Sequence, residues 1–231
     1  MAGHAGVGIV TALISGSDAF DAAFTAQDQN ACVVVAEDGS VRRFPVARWA
    51  GEADAADLRL FVDPCTGPTI DLGCGPGRLT AALVARGQVA LGIDVSATAV
   101  LHTLQRGAPA RHLDIFDALP DMGRWQHALL ADGNIGIGGD PVRLLRRVRD
   151  VIAPDGTVLA EVGPRGAGLR QGTVRLRVDG VLRPPYEWAH VGADMIVRLA
   201  ARAGLELDGL IVDGRRHVAV LRPSDGTARS A

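Results

Sequence analysis

The chain has no lysine at all, so its basic residues other than histidine are all arginines. Its 26 acidic and 24 basic side chains give a formal net charge of −2. This balance argues against a nucleic-acid partner, because binding to phosphates normally requires a basic surface. No apolar run approaches the length of a membrane span, so we predict no membrane partner either.

Cysteines are few, and their positions favour neither a disulfide framework nor a metal site. Cys32, Cys65 and Cys74 form an odd set without metal-ligand spacing, which predicts reduced thiols and a cytoplasmic location. The apolar stretch near the N-terminus has no basic region ahead of it, so we predict no signal peptide. With 231 residues, 48% of them hydrophobic, the chain suits one folded domain, as a monomer or a homodimer.

The segment from Asp71 to Gly77 places three glycines at alternate positions, between a short apolar run and a helical pattern. Glycine on such a turn lets the backbone adopt positive φ and lets a ligand approach main-chain atoms. Seventeen residues after Gly77, a second apolar run ends in Asp94. An acidic side chain at the end of a second strand can bind ribose hydroxyls. Together these features predict nucleoside binding at the carboxyl edge of a parallel sheet.

The spacing of the glycines indicates which nucleoside is bound. A dinucleotide fingerprint, G-x-G-x-x-G, needs a third glycine where this chain has Arg78, so an NAD-dependent oxidoreductase is the less favoured alternative. The pattern D-x-G-x-G-x-G that begins at Asp71 resembles motif I of the class I S-adenosylmethionine-dependent methyltransferases. Asp94 matches the ribose-binding acid of that family, and the segment 113–120 resembles its adenine-binding segment.

The resemblance implies S-adenosyl-L-methionine as the cofactor. Asp71 is expected at the methionine end, directly or through water, and a structural role in bonding the amides of the turn is compatible with this. Asp114 would accept from the adenine amino group, with Ile115 and Phe116 against the ring. The full set of expected cofactor-binding residues is Asp71, Gly73, Cys74, Gly75, Gly77, Asp94, Val95, Asp114, Ile115, Phe116, Asp132 and Gly133.

Strand and helix alternate from residue 69 onward with short connections, which predicts an α/β fold with a doubly wound, mostly parallel sheet. A later helix is followed by two strands around Asp213 and Gly214, and such a pair is antiparallel. The resemblance implies seven strands in total, with the last one antiparallel. The cofactor-binding domain is predicted over 68–223, after an N-terminal helical and hairpin lid over 1–67. A lid insertion with its own hairpin is predicted over 163–191 and a disordered tail over 224–231.

Candidate acceptor-binding residues lie outside the nucleotide motifs. Trp49, Tyr186 and Trp188 fall in segments that form the acceptor lid in many members of the family, where rigid aromatic rings could clamp a planar substrate or simply pack the lid. Asn134 lies in a glycine-rich stretch after the fourth strand, where acceptors approach. DNA amino-methyltransferases carry Pro-Pro and an aromatic residue there, so this stretch argues against a nucleobase acceptor.

The catalytic residues are the least determined by the sequence. Methyl transfer needs mainly alignment of donor and acceptor, and a base only if the acceptor must lose a proton. His190 lies between Trp188 and a predicted helix start at Gly192, so we expect it at the mouth of the pocket as general base, with Asp132 next in line. A loop histidine without catalytic role is the alternative.

Several arginines in the insertion could bind an acidic acceptor. The alternation of Arg175 and Arg177 with apolar residues instead favours the solvated face of a hairpin. The chain is therefore interpreted as a methyltransferase that acts on oxygen or nitrogen of a small molecule, with secondary metabolism as the suggested setting. A protein that binds the cofactor for regulation or for other chemistry would share every motif named above.

Overall fold

The computed structural model describes residues 17–28 and 31–224. The N-terminal stretch in which we predict no signal peptide lies outside the described residues. The predicted tail beyond Ser224 also lies outside them. In chain order the elements are α1 (Ser17–Thr25), β1 (Val33–Ala36), β2 (Val41–Arg43), α2 (Val46–Trp49), α3 (Ala55–Asp57), a π-helical turn (Leu58–Val62), β3 (Thr69–Leu72), α4 (Arg78–Ala85), β4 (Ala90–Asp94), α5 (Ala97–Gln105), β5 (Ala110–His112), β6 (Trp125–Leu130), a 3₁₀ turn (Asn134–Gly136), α6 (Pro141–Val151), β7 (Ile152–Val162), β8 (Leu169–Val178), β9 (Val181–Leu182), β10 (Tyr186–Val191), α7 (Ile196–Ala203), β11 (Leu205–Asp213) and β12 (Arg216–Pro223).

The larger sheet has seven strands in the order β11-β12-β7-β6-β3-β4-β5, which confirms the predicted α/β architecture. Strands β5, β4, β3, β6 and β7 are parallel, and β12 pairs antiparallel with both β7 and β11. All four residues of β3 are buried, because helices cover both faces of a parallel sheet. Neighbouring residues Leu129 and Leu130 of β6 enter two different apolar clusters, one on each face.

A second sheet, in the order β10-β8-β1-β2 with β9 on β8, brings the N-terminal hairpin together with the insertion. Val34 of β1 faces Leu176 of β8 across an antiparallel pairing. In β8, Val174, Leu176 and Val178 are buried, while the intervening arginines are exposed. That alternation confirms the solvated-face interpretation for Arg175 and Arg177. The two segments predicted as separate hairpins therefore share one hydrogen-bonded sheet.

Helix α1 lies over this arrangement and is fixed to the start of α5. Asp21 Oδ1 accepts from Ser96 Oγ at 2.6 Å and from the Thr98 amide at 2.9 Å. Burial would raise the pKa of Asp21, but these hydrogen bonds outweigh it and lower the pKa. Because Ser96 also caps α5, one carboxylate joins α1 to the start of α5.

Some element boundaries differ from those predicted. The helix expected from Gly192 begins at Ile196, because the residues before it belong to strand β10 and its following turn. Helix α6 begins with Asp140 accepting from two backbone amides and Pro141 in the first turn.

Candidate functional site

A cavity of about 1260 Å³ lies between the carboxyl ends of the parallel strands and the second sheet. A pocket for one drug-sized ligand is roughly 300–1,000 Å³, so this volume accommodates two molecules side by side. The predicted site residues that line it are Trp49, Asp71, Gly73, Cys74, Gly75, Asp94, Val95, Asp114, Ile115, Phe116, Asp132, Asn134, Tyr186, Trp188 and His190. The fold thus brings the nucleotide motifs and the predicted acceptor residues to one cavity.

Two of the predicted cofactor-binding glycines do not line this cavity. A Cβ on Gly77 would lie 2.4 Å from Thr103 Oγ1, so this glycine serves the close packing of the turn against α5. Gly133 borders a smaller neighbouring cavity of about 290 Å³. Direct ligand contact is therefore not supported for either residue, and the motif spacing alone could not reveal this.

Gly75 forms the part of the glycine turn that is open to the cavity. Its φ is +54°, and an added Cβ would meet only the Phe24 ring, at 3.8 Å. Asn134 fixes the start of the turn, since its Nδ2 donates to the carbonyl oxygens of Leu72 and Gly73 at 3.0 and 2.8 Å. The amide nitrogen of Asn134, predicted to bind acceptor, is therefore already committed to the turn.

Asp94 points from the end of β4 toward the glycine turn. Its Oδ2 accepts from the Gly75 amide at 2.8 Å, and its Oδ1 accepts from the Ser96 amide at 2.8 Å. Burial raises the pKa of Asp94 to about 6, although these amides oppose the shift. Each carboxylate oxygen has a second lone pair, so the same group can also accept from ligand hydroxyls.

Asp71 lies beneath the turn and is almost fully buried. Thr80 Oγ1 donates to Asp71 Oδ2 at 2.8 Å. Burial raises the pKa of Asp71 to about 6, since the hydrogen bond from Thr80 compensates only part of the desolvation. The expected structural role of Asp71 was to bond the amides of its own turn. In the structure, the hydroxyl of Thr80 on helix α4 is its hydrogen-bond partner.

Phe116 lines the cavity, and contacts with Arg143 and Gly138 fix the position of its ring. The guanidinium of Arg143 lies over its ring, 4.0 Å from the centroid. On Gly138, an added Cβ would approach the ring to 2.9 Å, so only glycine fits there without a shift. Asp114 Oδ1 accepts from the Phe116 amide at 2.9 Å, which orients the residue from the backbone side.

An ion-pair network that the sequence did not reveal surrounds Asp57, which is 1% exposed. Arg78 donates to both of its oxygens, from Nε at 2.9 Å and from Nη2 at 3.0 Å. Arg216 Nη1 donates to Asp57 Oδ1 at 2.6 Å, and Arg48 Nη2 donates to it at 3.3 Å. Burial would raise the pKa of Asp57, but the hydrogen bonds and charges of Arg78 and Arg216 prevail and lower it strongly.

Asp132 belongs to the same network. Arg78 Nη1 donates to its Oδ2 at 2.7 Å, and Arg48 Nη1 donates to its Oδ1 at 3.4 Å. Its amide donates to Glu161 Oε2 at 2.8 Å, while its φ of 54° lies in the left-handed region. Asp132 is therefore poorly placed to act as the second candidate for general base, because arginines already donate to both of its oxygens.

His190 lines the cavity but is not free to act as a base. Arg42 Nη2 contacts His190 Nε2, and a guanidinium can only donate, so this nitrogen must accept. Burial first, and then the charges of Arg42 and Arg170, lower the pKa of His190 to about 4. The neutral ring has a single lone pair, and Arg42 occupies it. This arrangement does not favour the expected general-base role, which stays a prediction.

Five aromatic rings form a connected group that lines the cavity. Phe44 and Trp49 meet edge to face at 4.6 Å, and Tyr186 and Trp188 do so at 6.0 Å. Phe20 of α1 joins the two pairs, with centroid distances of 6.0 Å to Phe44 and 5.1 Å to Tyr186. This group includes all three predicted aromatic residues and adds two that sequence spacing did not identify.

Within 17–28 and 31–224, no group of three histidine, cysteine or acidic side chains is arranged to hold a metal ion. Over the same residues, no helix is both long and apolar enough to cross a bilayer.

Comparison with known proteins identifies the fold. No protein-family model and no curated protein matches the chain. Among solved structures, an S-adenosylmethionine-dependent methyltransferase from Bacteroides fragilis, in complex with S-adenosyl-L-homocysteine, is 20% identical and superposes with a TM-score of 0.75. The match covers 90% of this chain and 94% of that one.

Two further structures show the same architecture at lower similarity. The CcbJ methyltransferase from Streptomyces caelestis is 19% identical, with a TM-score of 0.60 over 76% of this chain and 92% of its own. The sugar N-methyltransferase KedS8 from Streptoalloteichus sp. ATCC 53650 is 18% identical, with a TM-score of 0.54 over 75% and 87%. The chain therefore has the class I, Rossmann-like fold of S-adenosylmethionine-dependent methyltransferases.

Proposed function

We propose that the protein is an S-adenosylmethionine-dependent methyltransferase that acts on oxygen or nitrogen of a small molecule. The observation that carries this proposal is the shared cavity. Gly75, Asp94 and Asp114 line it together with the connected aromatic group. Structural similarity to the Bacteroides fragilis protein, which was crystallised with S-adenosyl-L-homocysteine, supports the same choice of cofactor.

The residues at the nucleoside end fit this cofactor. The open space at Gly75 is a cradle that any side chain would fill, so a ligand can approach the backbone there. Asp94 has lone pairs available for ribose hydroxyls, and Phe116 presents a fixed ring for adenine to lie against. Arg78 occupies the position of the third dinucleotide glycine with a buried, ion-paired side chain, which disfavours NAD.

When bound, the cofactor supplies a sulfonium methyl group, whose carbon–sulfur bond breaks as a lone pair of the acceptor forms the new bond and the thioether leaves. The chain's own residues contribute mainly position. Asp94 and Phe116 orient one ligand, and the aromatic group excludes water around the other. Because His190 and Asp132 are both engaged by arginines, we propose catalysis by alignment, without a dedicated base.

A small-molecule acceptor agrees with the volume of the cavity, about 1260 Å³. KedS8 is a sugar N-methyltransferase, and a further structure of this fold, MtfA, is a glycopeptide N-methyltransferase with a TM-score of 0.57. We also propose secondary metabolism as the setting of the acceptor.

Calorimetry with S-adenosylmethionine, S-adenosylhomocysteine and NAD tests cofactor choice directly. We expect binding of the first two and none of NAD. Methyl-labelled S-adenosylmethionine incubated with fractionated small-molecule extracts then tests transfer, with Gly75→Val as the matched inactive variant. Tight NAD binding would overturn the proposal. Cofactor binding without label transfer to any fraction would instead favour a protein that uses the cofactor for regulation or other chemistry.

A further inference from the structure

The cavity is also lined by Arg42, which forms no ion pair with a carboxylate of the described residues. By strand register, Arg42 of β2 lies on the same face of the second sheet as Val34, and through β8 on the same face as Tyr186, Trp188 and His190. Arg42 and His190 both line the cavity. The sheet thus places Arg42 on the same face as Tyr186 and Trp188, which also line the cavity.

The partner of Arg42 is a neutral ring. Its Nη2 donates to His190 Nε2, which leaves the positive charge in place and fixes the direction of the guanidinium. Arg170 lies directly across from His190 on β8, so a second positive charge is nearby. The histidine therefore orients a cation and does not neutralise it.

Nearby carboxylates do not neutralise Arg42 either. In the part of the chain that the structure describes, no carboxylate oxygen lies within 4.0 Å of Arg42 or Arg170. Asp38 lies in the exposed turn between β1 and β2. Hydrogen bonds from Ser40, and then the charges of Arg170 and Arg42, lower its pKa. Glu187 accepts a hydrogen bond from Thr173 Oγ1. By contrast, the cavity arginines of the ion-pair network each bind at least one carboxylate.

We propose that the methyl acceptor is a planar aromatic molecule that carries a carboxylate, bound by Arg42 while His190 acts as a positioning residue for that guanidinium. This inference rests on the proposed methyltransferase function and adds the substrate class to it. Arginine and a carboxylate can form two parallel hydrogen bonds, which fixes the plane of the ligand as well as its charge. Tyr186 and Trp188 then provide ring surfaces on the same face of the sheet.

The test uses four probes, each with S-adenosylhomocysteine saturating the protein. They are 4-hydroxybenzoate, 6-hydroxy-2-naphthoate and the corresponding neutral carboxamides. We expect the full-length protein to bind at least one acid roughly tenfold or more tightly than its amide, as for a charge-assisted hydrogen bond. Arg42→Gln should remove this preference, while amide binding stays unchanged.

Arg175→Gln is the matched control, because Arg175 is exposed on the opposite face of the same sheet. It should bind acids and amides like the unmodified protein. His190→Ala should weaken acid binding several-fold, and His190→Gln should restore it, because a glutamine carbonyl can accept from Arg42 as the ring nitrogen does. A merely structural role for His190 would not predict this recovery.

Each outcome decides the inference. Equal affinity for acids and amides overturns it, as does an equal loss in Arg42→Gln and Arg175→Gln. Failure of every acid to bind while S-adenosylhomocysteine still binds overturns the acceptor class and leaves the proposed function standing. Failure to bind S-adenosylhomocysteine itself contradicts the proposed function instead, so the two failures are distinguishable.

Discussion

Arg78 Nη1 donates to Asp132 Oδ2 at 2.7 Å, which joins the first residue of α4 to the loop after β6. Arg78 is only 4% exposed, and its other nitrogens hold Asp57. The two loops that this pair connects form adjoining walls of the cavity, so the geometry of the site depends on a side chain at the place where a dinucleotide-binding protein has glycine.

Arg78→Met should destabilise the fold by roughly 3 kcal/mol or more, because it leaves the buried Asp57 carboxylate with fewer partners. Arg86→Met is the control on the same helical segment, since the Arg86–Asp63 pair is largely exposed and worth about 1 kcal/mol or less. Denaturant unfolding of both variants measures the difference. Similar losses for the two would show that the buried network contributes little.

Asp94→Asn should weaken binding of S-adenosylmethionine and S-adenosylhomocysteine by about tenfold or more, since a charge-assisted hydrogen bond contributes roughly 1.5–3 kcal/mol. The asparagine oxygen can still accept from one turn amide, so most of the fold should be retained. Calorimetry measures the affinity, and Asp155→Asn, at an exposed position of β7, is the control. Unchanged cofactor affinity would exclude ribose contact by Asp94.

The sequence could predict the parts of the site that are local in the chain. The glycine turn, Asp94 and the segment around Asp114 each lie in one short motif, and all of them line the cavity. The order of elements was likewise predictable, because helical and strand periodicities and cap residues such as Asp140 are short-range signals. The helix expected from Gly192 begins only at Ile196, because strand β10 and the turn after it come first.

What the sequence could not provide are contacts between distant segments. Asp57 and Arg216 are 159 residues apart, and nothing in either local pattern indicates the ion pair. The environment of His190 is a similar case. Its position near the cavity was predicted, but Arg42 comes from a strand 148 residues earlier and decides its chemistry.

Cofactor affinity should fall as the pH drops below about 6. Burial raises the pKa of both Asp71 and Asp94 to about 6, and each is expected to bind ligand as a carboxylate. Their folded-state pKa exceeds the unfolded value, so ionisation itself destabilises the free protein as pH rises through about 6. Calorimetry from pH 5 to 8 should show weaker binding in acid, with a shallower decline in Asp94→Asn. Constant affinity over this range would contradict the ionised-carboxylate interpretation.

Gly75→Val should abolish cofactor binding while the fold remains largely intact. An added side chain at Gly75 would extend into the cavity, since an added Cβ meets only Phe24 there, and so would occupy the space that the ligand needs. The φ of +54° also makes any branched residue strained, so a control must carry the same penalty. Gly107→Val provides it, because Gly107 has a φ of +77°, no atoms near an added Cβ and no place in the cavity lining. Circular dichroism and thermal unfolding should show similar losses for both variants, whereas cofactor titration should fail only for Gly75→Val. Near-normal binding by Gly75→Val would mean that the turn does not face the ligand, and equal failure of both would trace the effect to backbone strain.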